Sequence, residues 1–474
     1  MEDMKDIVNV AAGYFDNLFC AGSCDQMEEC IDAIPSKVTL EMQQMLFSDF
    51  TVEEVEVALF QMGPIKAPAP DGMNALFYQK FWHVVGESVT MAMLDFLNLG
   101  NMVPDINHTN IVLIPKVKNP EKMSNFRPIS LCNVIYKIIS KALANRLKQV
   151  LPQIISLTQS AIMPGRLITD NVLVAYETLH TMQYRKKGKK WSLAQKLDIS
   201  KAYDRVKWPF LKEIMHKLGF PEKLIDRVMS CVTTPFFSVL INGKPHGNIH
   251  LSRGIHQGDP LSTYLFLLCV EGFTSLLAKA NLEGKIHGVS VCRIAPKITN
   301  LLFVDDSLLF CRETKTEVEV VNDILKTYAQ ALGQSINLEK SSVYFSNNTP
   351  NCQKEEIKQI LGVREVDWFE SYLGLPTLVG RSKYHSFSYL KDRLCKKLQG
   401  WKGMLLSRAG KEILIKAVAQ SIPTYTMGVL QLPVKLCDDL DALCAKFWWG
   451  QVGNERKIHW RRWDRLALLK KKVA

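Results

Sequence analysis

The chain has 474 residues, is 47% hydrophobic and 22% charged, and carries a formal net charge of +12 with a pI near 9.0. That length exceeds one simple core, so about three domains or subdomains are expected, and the charge favours a polyanion such as nucleic acid or an anionic membrane surface. No apolar run of roughly 18 residues is present, so no membrane-spanning segment is expected.

The opening Met1-Glu2-Asp3-Met4-Lys5-Asp6 lacks an apolar signal core. The 12 cysteines are scattered, and Cys20, Cys24 and Cys30 form the only cluster, without a paired Cys-x-x-Cys. Reduced thiols in an intracellular protein and no zinc site are the expectation.

Residues 1–105 read as a helical extension. Thr51 and Glu54 have capping-box spacing at the head of an apolar face. Pro68, Pro70 and Gly72 break that helix, and a second one runs through Phe77, Phe81 and Val85. Residues 110–116 read as a strand ending in Lys116, and residues 125–131 as another carrying Arg127. The pair can clamp a phosphate from neighbouring strands or simply be solvated. Residues 136–151 form an amphipathic helix with Lys137, Lys141, Arg146 and Lys148 on its basic side. A helix over 169–183 leads to the basic run 185–190, which suits a solvated loop or a phosphate backbone.

Residues 193–200 read as a strand with Asp198 near its end, followed by a turn carrying Tyr203 and Asp204. Asn242-Gly243 marks a hairpin, and residues 265–282 look like a buried helix. Leu301-Leu302-Phe303-Val304-Asp305-Asp306-Ser307-Leu308-Leu309-Phe310 then places two carboxylates at the bend of an apolar hairpin. An Asp-Asp turn is one reading. A hard divalent cation neutralising the pair is the other. A helix over 318–332 and a strand over 343–345 follow. Beyond residue 346 the chain turns to basic helices: Phe387, Leu390, Leu394, Leu398 and Trp401 share one face, and Ser407 caps another helix that runs to about residue 421. Phe447-Trp448-Trp449 and Trp460-Arg461-Arg462-Trp463 interleave aromatics with Arg, which suits base stacking or a packed core.

Asp198 and the Asp305-Asp306 pair are a candidate two-metal site. Converging carboxylates of this kind hold two Mg²⁺ ions that assist attack by a 3′-hydroxyl and departure of pyrophosphate.

Eight blocks in order resemble the reverse transcriptases of plant LINE-type (non-LTR) retrotransposons. They are residues 67–72, 114–116, 125–131, 159–160 with 164–166, 196–204, 253–254 with 257–262, 303–306 and 372–376. The resemblance covers nearly the whole chain. It implies an α+β right-hand polymerase: an N-terminal helical extension over 1–105, fingers over 106–197, a palm with an antiparallel sheet over 198–345, and a thumb with a basic, aromatic connection over 346–474. It implies RNA-directed addition of dNTPs to a DNA primer on an RNA template, with two Mg²⁺ ions.

By the same resemblance Asp198, Asp305 and Asp306 match the metal-binding aspartates. Tyr203 matches the aromatic gate against a ribose 2′-hydroxyl, and a packed aromatic is its alternative. Lys116 and Arg127 match cations that grip the triphosphate, Gln257 a residue near the incoming nucleotide and template, and Lys340 a lysine near the leaving phosphate. Tyr372, Leu373 and Gly374 match the turn that grips the primer. Asp204 and Asp259 read as structural groups bonding loop backbone, and Arg166 is left without a role.

Ala69 stands where the family usually has Gly, His256 where Arg is common, Thr263 where Pro is common, and Val304 where Ala is usual. No endonuclease, Cys/His knuckle or RNase H region is recognisable, so the chain is expected to be a piece of a larger polyprotein. Two other readings stay open: an inactive remnant that binds nucleic acid, and an intron-maturase-like protein.

Overall fold

A computed structural model describes residues 4–22, 26–185, 191–292, 294–402, 406–450 and 458–467. Cys24, the basic run 186–190 and the terminal Lys470, Lys471 and Lys472 lie outside the described residues. The chain divides into two units. One comprises residues 1–167 with 181–367, and the other 168–180 with 368–474.

The first unit holds two sheets. Strands β1 (His108–Pro115), β2 (Phe126–Cys132), β4 (Phe236–Ile241) and β5 (Lys244–His250) make a four-stranded sheet in the order β2-β1-β4-β5. Strands β3 (Ser192–Leu197), β6 (Asn300–Phe303), β7 (Asp306–Arg312), β8 (Ser342–Phe345) and β9 (Arg364–Glu365) make a five-stranded sheet in the order β6-β7-β3-β8-β9. The β4–β5 hairpin turns at Asn242 and Gly243, both with positive φ, as Asn-Gly favours.

The expected division at residue 198 does not follow these sheets. β3 precedes that boundary yet is the middle strand of the five-stranded sheet, and β4 follows it yet pairs in parallel with β1, His108 facing Phe236. Parallel partners are joined by long crossovers, so nearness in sequence is a poor guide to sheet membership here. Nor does the second unit begin at 346: helix Asn351–Leu361 and β9 belong to the first.

Helix Ser262–Leu282 is the centre of the first unit's core. It is long and apolar enough by composition to cross a membrane, but most of its apolar window is buried inside the protein. Leu265, Phe266, Leu267 and Leu268 have no exposed surface. A helix apolar on every side needs protein on every side. Each such side chain contributes roughly 1.5–3 kcal/mol of burial.

The capping box at Thr51 and Glu54 forms as the spacing requires. Arg146 is not on a solvated basic face. It is buried, donates to both Glu54 carboxylate oxygens at 2.7 Å and to the Asp49 carbonyl at 2.8 Å, and lies over the Phe50 ring. It ties the capped helix to helix Val134–Ile154. Ala69 has no positive φ, so the Gly usual at that position is not required here.

In the second unit the stripe Phe387, Leu390, Leu394 and Leu398 packs with Ile415, Leu436, Leu440 and Phe447. Ser407 caps its helix by accepting from Gly410 N–H. That helix is interrupted: Arg408–Leu414 widens into a π turn at Ile415–Ala419, and Ser421–Met427 continues with Pro423 in its first turn. Proline is tolerated there because its missing N–H needs no partner.

Candidate active site

The site begins where β3 ends. β3 pairs antiparallel with β7 up to Leu197 opposite Ser307, and with β8 up to Lys196 opposite Ser342. One step past the last β7 pair, the register sets Asp198 against Asp306. Past the last β8 pair the register shifts across the turn at 338–340, so that Ile199 bridges Ile336 and Asp198 meets Asn337. The Asp198 N–H donates to Ser341 Oγ at 3.1 Å, and its carbonyl accepts from Asn337 N–H at 2.9 Å. The backbone of this aspartate is therefore fixed on both sides.

β6 and β7 form the expected hairpin, closed by Phe303 opposite Asp306, with Val304 and Asp305 as its two-residue bend. Val304 has φ +55°. A positive φ at the first bend residue is the pattern that normally takes Gly. For a β-branched residue it costs about 1–3 kcal/mol and persists only when its surroundings enforce it. Residues 158–160 supply those surroundings by pairing with the outer edge of β6: Leu302 N–H donates to the Thr158 carbonyl at 2.9 Å, and Ser160 N–H to the Leu302 carbonyl at 3.2 Å. The buried Gln159 side chain accepts from Val304 N–H at 3.2 Å.

Asp305 and Asp306 are exposed side chains, yet their carboxyls are raised above the ordinary carboxylate value. The flanking protein is the largest cause for each. At Asp305 a backbone N–H opposes the rise, the Asp198 charge adds to it, and Arg127 lowers it. At Asp306 the Asp305 charge adds, Lys196 opposes, and Asp198 adds again. The three carboxylates thus share one electrostatic neighbourhood.

The cations come from the other sheet. Arg127 faces Ile114 across β1–β2, and Lys116 follows β1, its N–H bonded to the Asn125 carbonyl at 2.8 Å. Both side chains are exposed. The Lys116 amine is lowered by desolvation first, then by Arg127 and Lys340, against the pull of Asp204 and Asp198. Lys116 thus shares one charge environment with Arg127, Lys340 and Asp198, and Arg127 acts on Asp305. Lys340 is exposed, with its N–H bonded to Asn337 Oδ1 at 3.2 Å.

Tyr203 is half-buried and stacks on Phe266, ring centroids 4.9 Å apart and planes 17° from parallel. Its phenol is raised by burial, opposed by the Thr263 hydroxyl and raised further by the Asp305 charge. The ring is packed on one face and stands near the carboxylates, so its two sequence readings are compatible. Thr263 supplies a hydroxyl that proline lacks.

Gln257 is half-buried, and its carbonyl accepts from Ser130 N–H of β2 at 3.0 Å, docking the 253–262 loop on the cation-bearing sheet. Gly254 has φ +98°, and a Cβ there would lie 2.9 Å from the Asp204 carbonyl oxygen, so the position needs glycine. Asp259 bonds loop backbone as expected, accepting from Leu261 and Ser262 N–H and from Ser140 Oγ at 2.6 Å. Asp204 differs. It is buried among cations, 4.0 Å from Lys201 Nζ, and burial pushes its carboxyl up to about 6 against Lys201, Lys116 and Arg205. His256 is a buried imidazole edge-on to Tyr136, and burial pushes it down to about 4.

Tyr372, Leu373 and Gly374 belong to the second unit. Tyr372 and Leu375 bond each other's backbone around a bend in which Leu373 and Gly374 both have positive φ. The Tyr372 ring is buried and donates to Asn171 Oδ1 at 3.0 Å, while Tyr425 donates to the Leu373 carbonyl at 2.9 Å. The buried tyrosine anchors the bend.

The donor set fits Mg²⁺ as an open site. Among the described residues no group of three or more His, Cys, Asp or Glu side chains could by itself hold a metal ion, so substrate and water would have to complete any coordination. Asp198, Asp305 and Asp306 offer only hard oxygen ligands, and the Asp198 charge adds to the raised proton affinity of Asp305 and Asp306. Mg²⁺ binds through one or two carboxylates and takes its remaining ligands from water and substrate phosphates.

Sequence reading gave no role to Gln159, Arg166, Asn337 or Ser341. Gln159 and Arg166 lie in recognised blocks, so the signal was present. Arg166 donates to the carbonyls of Pro152 at 3.0 Å, Ile155 at 2.8 Å and Ser156 at 2.6 Å, and also to that of Gln159. It closes the end of helix Val134–Ile154 and holds the loop that carries Gln159.

Two sheets with packed helices, one bearing a carboxylate pair on a hairpin bend and the other bearing cations, are consistent with a right-hand polymerase fold. Residues 114–390 match the family described as reverse transcriptase (RNA-dependent DNA polymerase), more than half of the chain. The chain belongs to that family. It is 27% identical over 470 residues, 97% of its length, to an uncharacterized 149 kDa protein of transposon TX1 from Xenopus laevis, and spans 34% of that protein. It is 25% identical over 329 residues, 68% of its length, to the retrovirus-related Pol polyprotein from the type-2 retrotransposable element R2DM of Drosophila melanogaster, of which it spans 27%. A stretch of 97 residues, 20% of the chain, is 32% identical to a putative ribonuclease H protein of Arabidopsis thaliana, covering 16% of it. The chain thus spans about a third or less of the length of these relatives.

Proposed function

We propose that this chain is the polymerase portion of a LINE-type (non-LTR) retrotransposon protein of plant type, and that it copies RNA into DNA by adding dNTPs to a primer 3′-end. The observation that carries this reading is the convergence of Asp198, Asp305 and Asp306 with Lys116 and Arg127, within a chain of the reverse transcriptase family. The plant assignment rests on the motif blocks. In polymerase terms the β2-β1-β4-β5 sheet is the fingers, the five-stranded sheet the palm, and the helices of the second unit the thumb.

Asp198, Asp305 and Asp306 would hold two Mg²⁺ ions. When bound there, the metal supplies Lewis-acid activation of the primer hydroxyl and neutralises charge on the leaving pyrophosphate. The protein's own part is to place charge. Lys116 and Arg127 bind the triphosphate from the fingers sheet and draw its reacting phosphorus toward the palm. Lys340, which shares the charge environment of Lys116, is assigned to the negative charge of the leaving group. The Tyr203 ring, braced by Phe266, occupies the space that a ribose 2′-hydroxyl would need. Gln257 lines the nucleotide and template side, and the bend at Leu373 and Gly374 holds the primer end.

RNA template, DNA primer and dNTPs are the proposed partners. Endonuclease and RNase H activities would come from other parts of the parent polyprotein. An element that integrates into chromosomal DNA must reach the nucleus after synthesis in the cytoplasm, so both compartments are proposed. Primer extension on a primed RNA tests the reading. dNTP addition that is lost with Asp305→Ala supports it. Duplex binding by a folded chain without any extension opposes it and favours an inactive remnant.

A further inference from the structure

We propose that Gln159 is a positioning residue for synthesis, whose buried carboxamide holds Val304 in its left-handed conformation and thereby sets where Asp305 stands. The inference rests on the polymerase reading above. Gln159 is 1% exposed, and its side-chain oxygen accepts from two backbone N–H groups, Val304 at 3.2 Å and Ala161 at 3.1 Å. Two donors aimed at one atom require the carbonyl oxygen there, which settles the orientation of the amide. Its Nε2 has no partner among the described residues. A glutamine kept buried with its donor half unsatisfied is held for its acceptor half.

The acceptor acts on the one residue of the bend that resists its conformation. Val304 is β-branched at φ +55°, next to Asp305. The mount of Gln159 is itself fixed. Its backbone pairs with Leu302, Arg166 donates to its carbonyl, and the loop is anchored where Ser156 donates N–H and Oγ to the buried Glu271 at 3.0 and 2.6 Å. A chain of direct contacts thus runs from Glu271 and Arg166 through Gln159 to the bend that carries the catalytic carboxylate.

Gln159→Met keeps the side-chain size and removes the acceptor. Three readouts apply: thermal melting, hydrogen–deuterium exchange of a peptide spanning 300–310, and primer extension across a Mg²⁺ titration. The expected result is a folded protein with faster exchange in that peptide. Synthesis should fall on the order of ten- to a hundredfold, with more Mg²⁺ needed for half-maximal rate. Adding Val304→Gly should restore most of the loss, because glycine takes positive φ without help. Unchanged exchange, or no recovery with Val304→Gly, overturns the proposal. So does a Gln159→Met chain that fails to fold and is not rescued by glycine, since Gln159 is then a general structural residue. If the wild-type chain folds but extends no primer, the polymerase reading fails, while the exchange result still decides whether Gln159 holds the bend.

Discussion

The two sheets of the first unit carry opposite charges and hold them differently. The carboxylates of the five-stranded sheet sit on backbone fixed from several directions. Asp198 is tied to Ser341 and Asn337, and the Asp305 bend is held by Gln159. The cations of the four-stranded sheet, Lys116 and Arg127, extend from strand ends as exposed side chains. Carboxylates that must converge repel one another, so the fold has to impose their positions. Cations that meet a mobile polyphosphate gain from reach. Like charges forced together by a scaffold, opposite an adaptable set of counter-charges, suit a site that is completed when substrate arrives.

The largest expected effect falls on the fixed side. Asp305→Ala or Asp198→Ala should reduce primer extension by roughly a thousandfold or more, since several kcal/mol of charge stabilisation is lost. The melting temperature should not fall. Its pH dependence sharpens the point. Asp305 is raised above 3.8 in the folded state by enclosure and by Asp198. The folded protein therefore binds that proton more tightly than the unfolded chain. The associated stability is full below the unfolded value and is lost as pH rises through the raised value. Asp305→Asn should thus melt higher than wild type at neutral pH, with the gap closing in acid.

On the reaching side the effect should be smaller and appear in binding. Arg127→Ala is expected to raise the KM for dNTP by about tenfold or somewhat more, the scale of a lost charge-assisted hydrogen bond, with melting unchanged. A collapse in kcat at constant KM would break the comparison. Tyr203→Val should relax discrimination against ribonucleotides, with little change in dNTP incorporation; unchanged discrimination would leave Tyr203 as a packed ring only. The mildest expectation concerns salt. Binding of the primed template should weaken steadily from low to physiological salt, as expected when cations replace counterions on phosphate, and this slope should be unchanged in Asp305→Ala.

Much of this was legible in the sequence. The capping box at Thr51, the Asn242-Gly243 turn, the apolar helix now bounded at Ser262–Leu282 and the acidic hairpin are local patterns, and local patterns write themselves in order along the chain. Three things were not legible. The pairing of β1 with β4 joins residues more than a hundred positions apart, so a boundary drawn in chain order runs across both sheets. Arg146 looks like a surface cation on a basic helix, because nothing local reveals the Glu54 carboxylate and Asp49 carbonyl that hold it. The burden on Val304 was also hidden. The sequence shows a valine where alanine is usual, but only the backbone shows that the position is left-handed and that Gln159 holds it.

The most direct measurement is primer extension by the purified chain on a primed RNA template with dNTPs and Mg²⁺, run beside Asp305→Ala. The expected result is templated DNA synthesis by the wild-type chain and none above background from the variant, with both proteins folded and both binding the duplex. Equal extension by the two proteins would contradict the assignment of the hairpin carboxylate. Folded, duplex-binding wild-type protein that adds no nucleotide would contradict polymerase activity in this chain.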